Sequence, residues 1–142
     1  HDALPIFSMH IAGIIYRSFI LPVLDYCDTV WNYYGRINAD NIEKLQRRAA
    51  RIIMQTNSSD EALAHLRYDT LGLRRETHAL NLAKKCLNKR CPQFLMDYFS
   101  FNRDIVQRKT RQSNHLRFPS IKRQCTKKAF YYHGCEVFNR NL

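Results

Sequence analysis

The sequence predicts an all-α fold: a small irregular helical domain with a basic, partly irregular C-terminal segment. Hydrophobic residues recur at helical spacing, strand-like alternation is scarce, and the 142 residues include only four glycines and four prolines. With 45% hydrophobic and 12% aromatic residues, the chain is too apolar for a disordered tail. We therefore expect a helical core at residues 1–99 and a basic segment with a terminal helix at residues 100–142.

The first helix is predicted over residues 5–21 and is expected to end at Pro22, which cannot continue a helix easily. The segment is apolar nearly all round, so we expect burial on most sides. Residues 4–24 are long enough to span a bilayer. However, His10 and Arg17 lie inside this run, and a central arginine costs about 2.5–3.5 kcal/mol on membrane insertion. The sequence therefore favours a buried helix and no membrane partner.

The second helix is predicted over residues 39–55, ADNIEKLQRRAARIIMQ. Asp40 and Glu43 are expected in its first turn, where they would favour the positive end of the helix dipole. Gln46 and the neighbouring arginines are expected to lie away from the buried stripe. That stripe is predicted to consist of Ile42, Leu45, Ala49, Ile52 and Ile53.

A break after the second helix is followed by a short helical segment that Ser58 or Ser59 can cap. The third helix is predicted over residues 73–88 and ends before Pro92. Residues 93–99 are expected to add one or two amphipathic turns. The apolar edge of the third helix is predicted to consist of Leu73, Thr77, Leu80, Ala83 or Lys84, and Leu87.

Residues 100–124 carry few helix signals, and LRFPS within them is expected to be a short extended segment. A terminal amphipathic helix is predicted over residues 126–139. Gly134 is expected to weaken it, because glycine lowers helix stability.

Positive charge is concentrated in the second half of the chain. Residues 1–73 carry 7 basic and 8 acidic side chains, whereas residues 74–142 carry 16 basic and 4 acidic ones, a net charge of +12. Such an excess predicts a surface for a polyanion, with phosphate contacts supplying most of the affinity. We define the basic series as Lys84, Lys85, Lys89, Arg90, Arg108, Lys109, Arg111, Arg117, Lys122, Arg123, Lys127 and Lys128.

Aromatic residues are interleaved with the basic series. Exposed aromatic rings can stack on unpaired bases, but core packing is the preferred interpretation for most of them. The aromatic set consists of Tyr98, Phe99, Phe101, Phe118, Phe130, Tyr131 and Tyr132.

The cysteines favour reduced thiols in an intracellular protein, nuclear or cytoplasmic. Their number is odd, and no secretory signal is recognisable. Zinc sites usually bring close ligand pairs, with two to four intervening residues. Here Cys86 and Cys91 straddle a helix end, and the other candidates are scattered, so we predict no metal and no cofactor. The other candidates are His115, Cys125, His133 and Cys135.

The stretch LDYCDTVW, residues 24–31, raises the question of an acid/base or metal site. Asp25 and Asp28 are three residues apart and would share a face on a continuous helix. However, no adjacent aspartate pair and no phosphate-binding glycine-rich loop accompanies them. We predict that the stretch is structural and that this chain has no catalytic residues.

Four segments in order resemble the C-terminal region of non-LTR (LINE-type) retrotransposon reverse transcriptases of the jockey and chicken-repeat kind. They are FILPVLDYCDTVWNYY, NIEKLQRRAARII, LGLRRETHALNLAKKCLNKRCPQFLMDYF and KRQCTKKAFYYHGCEVFNRNL. The resemblance implies a post-palm, thumb or post-thumb region that holds template and primer. It also implies that the polymerase palm, with the catalytic aspartates, lies N-terminal to His1.

The resemblance implies that LDYCDTVW is a structural hallmark that packs against the second helix. We define the structural signature as Asp25, Tyr26, Cys27, Trp31, Leu45, Gln46, Ala49, Ala50 and Arg51. The chain departs from the family pattern at three places. Leu73 replaces a tryptophan in the Leu-Gly-Trp step, Phe138 replaces the final tryptophan, and the closing Leu-Pro is missing.

The sequence thus predicts a non-catalytic fragment of an RNA-directed DNA polymerase that binds RNA, DNA or both. The missing palm is a further expected partner. The alternative is a remnant, or a helical protein-interaction module, that does not bind nucleic acid.

Overall fold

The computed structural model describes residues 8–31, 36–106, 110–120, 127 and 129–142. Within these residues the regular elements are helices, which confirms the all-α prediction. The chain divides into two compact units. The first unit comprises His1–Asp28 and Gly35–Arg74, and the second comprises Thr29–Tyr34 and Arg75–Leu142. The expected division at residue 99 stays a prediction.

The first helical stretch continues past Pro22, so the expected end there is wrong. α1 (Met9–Ile15) leads through a π-helical turn (Tyr16–Ile20) into α2 (Leu21–Asp25). In this turn the Leu21 N–H donates to the carbonyl five residues earlier. In a regular α-helix the ring of Pro22 would clash with the carbonyl four residues earlier, and the π turn widens the helix at that point.

The helix is interrupted immediately after Asp25. Tyr26 and Cys27 form a turn, and Cys27 adopts a left-handed backbone conformation with φ of 51°. α3 (Asp28–Trp31) begins after this turn. Asp25 and Asp28 therefore do not lie on one continuous helix, which corrects the expectation of a shared helical face.

The predicted second helix is confirmed as α4 (Arg36–Met54), which packs against α1 and against α5 (Ser59–Leu66). The predicted cap of α5 is also confirmed, because Ser58 Oγ accepts a hydrogen bond of 3.4 Å from the Glu61 N–H. A small hydrophobic core lies between α4 and α5. It consists of Ala50, Ala62 and Leu63, with the partly buried Met54, Leu66 and Tyr68 packed against it.

The buried stripe of α4 differs from the expected one. Ile53 is buried as predicted, but Gln46 is only 1% exposed, and the exposed fractions of Leu45 and Ile52 are 56% and 65%. Gln46 Nε2 donates a hydrogen bond of 2.7 Å to the Asp69 carbonyl. This bond satisfies the buried amide nitrogen, whereas the amide oxygen of Gln46 is buried without a hydrogen-bond partner in the described part of the chain.

Glu43 has a different role from the expected one. Because α4 begins at Arg36, neither Asp40 nor Glu43 lies in its first turn. Glu43 Oε2 instead accepts a hydrogen bond of 2.9 Å from the N–H of Leu71, the first residue of α6 (Leu71–Leu87). The carboxylate thus satisfies one of the unpaired N–H groups at the start of α6.

α6 confirms the third predicted helix, but its buried edge differs from the expected one. Leu73 is 51% exposed and Thr77 is exposed. The helix begins two residues earlier than predicted, and Leu71 rather than Leu73 is buried. The buried residues of α6 are Leu71, Arg75, Ala79, Ala83 and Cys86.

The expected burial of the first helical stretch is wrong for most of its apolar side chains. Phe19 and Val23 are 72% and 70% exposed. Tyr16 is the exception, because it is buried and stacks on Tyr68 with ring centroids 5.4 Å apart. In the portion of the chain that the structure describes, no helix has the length and apolarity needed to cross a membrane.

The second unit includes α7 (Gln93–Met96), α8 (Asn102–Ile105) and α9 (Phe130–Arg140). The helix end before Pro92 is confirmed, because α6 stops at Leu87 and Pro92 is the N-cap of α7. Leu116 of the LRFPS stretch forms an isolated antiparallel bridge. The core consists of Ala83, Cys86, Phe99, Leu116 and Cys135.

Gly134 provides space rather than merely weakening α9, which runs through it without interruption. A Cβ atom at Gly134 would lie 3.2 Å from Cε1 and Cζ of Phe99 and 3.3 Å from Cε2 of Phe130. The glycine therefore allows the buried Phe99 ring to approach the helix backbone closely.

Candidate nucleic-acid interface

The end of α6 places four cations of the basic series close together in sequence and on the surface. Lys84 and Lys85 occupy the last turn, and Lys89 and Arg90 follow it; all four are exposed. Lys89 has a φ of 56°, and its N–H donates to the Cys86 carbonyl at 3.1 Å. The Arg90 N–H donates to the Lys85 carbonyl at 2.9 Å. These bonds close the helix with a left-handed residue and fix the course of the backbone that carries the cations.

Three further members of the basic series, Arg111, Arg117 and Lys127, are also exposed. The Arg117 N–H donates to the Ser100 carbonyl at 2.9 Å, which fixes this part of the chain. Arg108, Lys109, Lys122, Arg123 and Lys128 lie outside the described residues.

The acids of the second half are bound to groups outside the basic series. Glu76 forms an ion pair of 3.2 Å with Arg140, and Asp104 forms one of 3.8 Å with Arg103. Glu136 lies 3.3 Å from His133 Nδ1 and 3.9 Å from Arg140 Nη2. Asp97 accepts a hydrogen bond from Gln93. Among the described residues, no member of the basic series forms an ion pair with an acid. The seven described members of the basic series therefore carry positive charge that no described acid neutralises through an ion pair.

The segment that carries Arg117 is held by Asn139. Asn139 Oδ1 accepts from the Leu116 N–H at 2.7 Å, and its Nδ2 donates to the Leu116 carbonyl at 2.9 Å. One amide thus satisfies both backbone groups of a buried residue, as a strand partner would. The contact positions the segment against α9.

Most of the aromatic set packs in the core, as predicted. Phe99 is buried, and Phe101, Phe130 and Tyr131 pack against the same cluster. Tyr98 and Phe118 are more exposed, at 47% and 43%. They still contact other rings: Tyr98 stacks on Tyr131 with centroids 4.6 Å apart, and Phe118 lies 5.0 Å from Tyr132. Each of these two rings thus packs against a neighbouring tyrosine ring and leaves part of its own surface accessible to solvent.

The stretch LDYCDTVW is anchored by Asp25. The carboxylate accepts two hydrogen bonds from Arg74, one from Nε at 3.4 Å and one from Nη2. Asp28 is buried, whereas Tyr26 and Cys27 are exposed. The ion pair gives Asp25 a structural partner.

The remaining members of the structural signature lie on different faces of α4. Gln46 and Ala50 are buried and Ala49 is half-buried, whereas Leu45 and Arg51 are exposed. The side chain of Trp31 lies outside the described part of the structure. The expected packing of LDYCDTVW against this helix stays a prediction.

The zinc candidates are mainly buried side chains. Burial raises the pKa of the Cys86 thiol to about 12, and a hydrogen bond with Cys91 adds to this effect. Burial alone raises the pKa of Cys135 to about 11. Both shifts disfavour the thiolate that zinc binding requires. No three of the described candidates converge within ligand distance of one another, and Cys125 lies outside the described residues.

Burial lowers the pKa of His133, and the neighbouring Glu136 opposes this shift only in part. The lowered pKa favours the neutral imidazole, so His133 adds no positive charge to the basic series near neutral pH.

Sequence reasoning correctly expected Arg48 and Arg51 of α4 to lie away from the buried stripe, and both are exposed, but it did not include them among the candidate binding residues. They line an open groove of about 320 Å³ at the end of the helix. The first half of the chain is nearly neutral overall, so its charge balance gave no sign of this groove. The useful information would have been which arginines pair with an acid and which do not. That pairing depends on contacts between residues distant in the sequence.

Comparison with known proteins does not identify a relative: no family model, no curated protein and no solved structure matches this chain.

Proposed function

We propose that this chain is a non-catalytic nucleic-acid-binding region, belonging to the C-terminal part of a non-LTR retrotransposon reverse transcriptase. In this proposal it acts inside the cell and helps to hold RNA or DNA template and primer. The polymerase chemistry belongs to a palm that this chain does not include. The ordered sequence motifs support the parent enzyme. The binding role is supported by the described cations of the basic series, which form no ion pair with a described acid.

The observation that carries the proposal is the separation of cations from acids in the second half. Lys84, Lys85, Lys89 and Arg90 are exposed at one end of α6, while Glu76 and Glu136 are bound to Arg140 and His133. A surface of this kind attracts phosphates and releases condensed counterions when it binds them. Its affinity should therefore depend steeply on salt and weakly on base sequence.

Tyr98 and Phe118 provide a second, weaker type of contact. Each exposes part of its ring while the rest packs on a neighbouring tyrosine. A ring held in this way can stack on an unpaired base with little loss of side-chain freedom. Single-stranded nucleic acid is therefore the preferred ligand over a fully paired duplex.

The test is binding of labelled single-stranded RNA and of an RNA–DNA hybrid by the purified chain across a salt series. The variant Lys84→Gln/Lys85→Gln should reduce the slope of log K against log salt for the single strand by about 1.4, at about 0.7 per lost phosphate contact. Adding Lys89→Asn and Arg90→Gln should reduce it further; asparagine suits the left-handed backbone at Lys89.

The matched control is Arg17→Gln/Arg67→Asn, which removes two exposed cations of the first unit. Both double variants lower the net charge from +11 to +9. If both double variants reduced the slope of log K against log salt equally, binding would depend on the total charge and not on the position of the cations. Absence of binding by the folded chain at low salt would contradict the proposal.

The alternative function, a helical protein-interaction module, is favoured by one observation. Phe19 and Val23 expose most of their apolar surface on the first helical stretch. Such patches often mark protein contacts. If Phe19→Ser/Val23→Ser abolishes self-association or capture of a recombinant reverse-transcriptase palm, and the wild-type chain ignores nucleic acid, this alternative replaces the first proposal.

A further inference from the structure

The groove at the carboxyl end of α4 has the lining of an anion site. It is shallow and widely open to solvent, with a volume of about 320 Å³. Two of its residues are arginines, three carry amide or hydroxyl groups, and none is acidic. The lining residues are Arg48, Arg51, Ile52, Gln55, Thr56 and Asn57.

The two arginines of the groove differ from Arg47 and Arg74 of the first unit, which have acidic partners. Arg47 forms an ion pair of 3.0 Å with Asp60, and Arg74 is bound to Asp25. Arg48 and Arg51 are exposed, and neither has an acidic partner among the described residues. They are three residues apart on one helix, so their side chains project from the same face. Two guanidinium groups are thus left available to a common ligand.

The other polar residues of the groove supply further hydrogen-bond donors. The side chains of Gln55 and Asn57 form no hydrogen bond within the described part of the chain. Thr56 Oγ1 accepts from the Ser58 N–H at 3.3 Å, which leaves its hydroxyl hydrogen available. Together with the arginines, these groups give the lining of one groove several hydrogen-bond donors.

The carbonyl end of a helix normally disfavours an anion. Here two of the last carbonyl groups are already bound: the Thr56 N–H donates to Arg51 at 3.2 Å, and the Gln55 N–H donates to Ile52 at 3.4 Å. Their partial negative charge is therefore reduced where the groove begins.

We propose that this groove binds the sugar–phosphate backbone of a nucleic-acid strand, with Arg48 and Arg51 as the phosphate-binding residues. The inference rests on the proposed function for the ligand class but places a second contact in the first unit, outside the basic series. Guanidinium groups can bind phosphate oxygens through paired hydrogen bonds. No aromatic residue lines the groove, so it holds the backbone without stacking on bases and without sequence preference.

The experiment measures anisotropy of labelled oligouridylate and oligothymidylate over a salt series. Wild type should bind both with similar affinity. Arg48→Gln/Arg51→Gln should reduce the slope of log K against log salt by about 1.4. Arg48→Lys/Arg51→Lys should retain most of the slope but lose affinity, because lysine cannot form the paired bonds. The charge-matched control Arg17→Gln/Arg67→Asn should leave the slope unchanged.

Two further measurements separate binding from stability and from general charge. Urea unfolding of each variant establishes that the chain is folded in the binding assay. A photo-crosslinking amino acid in place of Ile52, which is 65% exposed at the groove, should form an adduct with the oligonucleotide. The same group in place of Val23 should form far less adduct.

The outcomes distinguish this inference from the proposed function. Suppose that the Lys84→Gln/Lys85→Gln variant has a reduced slope of log K against log salt, while the Arg48→Gln/Arg51→Gln variant keeps the wild-type slope. The groove inference is then overturned, and the proposed function stands. If only the groove variant loses slope, the inference stands and the predicted basic series is wrong. No oligonucleotide binding by the folded chain, or Arg48- and Arg51-dependent binding to phosphatidylserine vesicles instead, would overturn the inference.

Discussion

Arg74 of α6 and Asp25 of α2 form an ion pair within the first unit. Arg74 Nε donates to Asp25 Oδ1 at 3.4 Å, and Nη2 donates to Oδ2. The two side chains are 31% and 16% exposed, so water screens this pair less than a fully exposed one. The hydrogen bond to Asp25 raises the pKa of Arg74 above its usual value, against the opposing effect of burial. We therefore expect the pair to stabilise the fold.

Asp25→Asn should lower the free energy of unfolding by about 1–3 kcal/mol, because Arg74 would remain partly buried without its counter-ion. Chemical denaturation measures this change. The control is Asp60→Asn, which breaks the pair with Arg47, where the side chains are 80% and 41% exposed. That change should cost less than about 1 kcal/mol. Equal small losses at both positions would show that the Asp25 pair has no special structural role.

Gly134 and Gly72 should respond in opposite ways to alanine. In a helix interior, alanine is favoured over glycine by about 0.8–1 kcal/mol. At Gly134, however, the new Cβ would meet the buried Phe99 ring at 3.2 Å, and overpacking of this kind costs about 1–3 kcal/mol. At Gly72, the second residue of α6, the nearest atom would be 4.0 Å away, so alanine should keep part of its helix advantage there without overpacking. We expect Gly134→Ala to lower the midpoint of thermal unfolding and Gly72→Ala to raise it.

A double variant tests the stated cause of the Gly134 effect. Phe99→Leu removes the two Phe99 ring atoms nearest to the new Cβ, leaving the Phe130 contact at 3.3 Å and a smaller core side chain. Gly134→Ala should therefore be less harmful in the Phe99→Leu background than in the wild-type chain. If the two changes are additive, the contact between Gly134 and Phe99 does not explain the loss.

The cysteines should differ strongly in their reactivity towards a thiol reagent. Cys27 is exposed, whereas Cys86 and Cys135 are buried. Burial raises the pKa of Cys135 from its ordinary value of 9.0 to about 11, which lowers its thiolate fraction near neutral pH by about 100-fold. Residue-resolved mass spectrometry should show rapid alkylation of Cys27 and slow alkylation of the other two. Similar native rates at all three, matching those in urea, would contradict the buried positions.

Periodicity and local caps were sufficient to predict much of the helical fold. Ser58 at the start of α5 and Pro92 beyond the end of α6 act on residues only a few positions away, so the sequence shows them directly. The partners of Gln46 and Glu43 are 23 and 28 residues distant. Nothing in the local pattern indicates them, which is why the buried face of α4 was predicted incorrectly.

The candidate interface was predictable to a similar extent. The excess of Lys and Arg after residue 73 is visible in the sequence, and the exposure of Lys84 and Lys85 follows from their place at a helix end. Glu76 and Arg140 form an ion pair although they are 64 residues apart in the sequence, so this pairing was not predictable. The same limitation hid the difference between Arg47, which has an acidic partner, and Arg48, which has none among the described residues.

His133 should make the stability of the second unit depend on pH in the mildly acidic range. The side chain is 15% exposed, and its burial lowers its pKa below the ordinary value of 6.5. Glu136 at 3.3 Å and Glu76 favour the charged form, while Arg140 disfavours it. Because the folded state binds the proton less readily than the unfolded state, the contribution of His133 is present above pH 6.5. It is lost as the pH falls below 6.5 through the folded pKa.

The measurement is the free energy of unfolding from urea titrations at several pH values between about 5 and 7.5, the range around the ordinary histidine pKa. Wild type should lose stability towards the acidic end, and His133→Gln should show a flatter profile whatever its absolute stability. The exposed His65 provides the matched control, and His65→Gln should keep the wild-type slope. A His133→Gln profile parallel to wild type would mean that burial of this imidazole does not control proton uptake on unfolding. A steeper profile would mean that Glu136 outweighs burial and that the pKa of His133 is raised in the folded state.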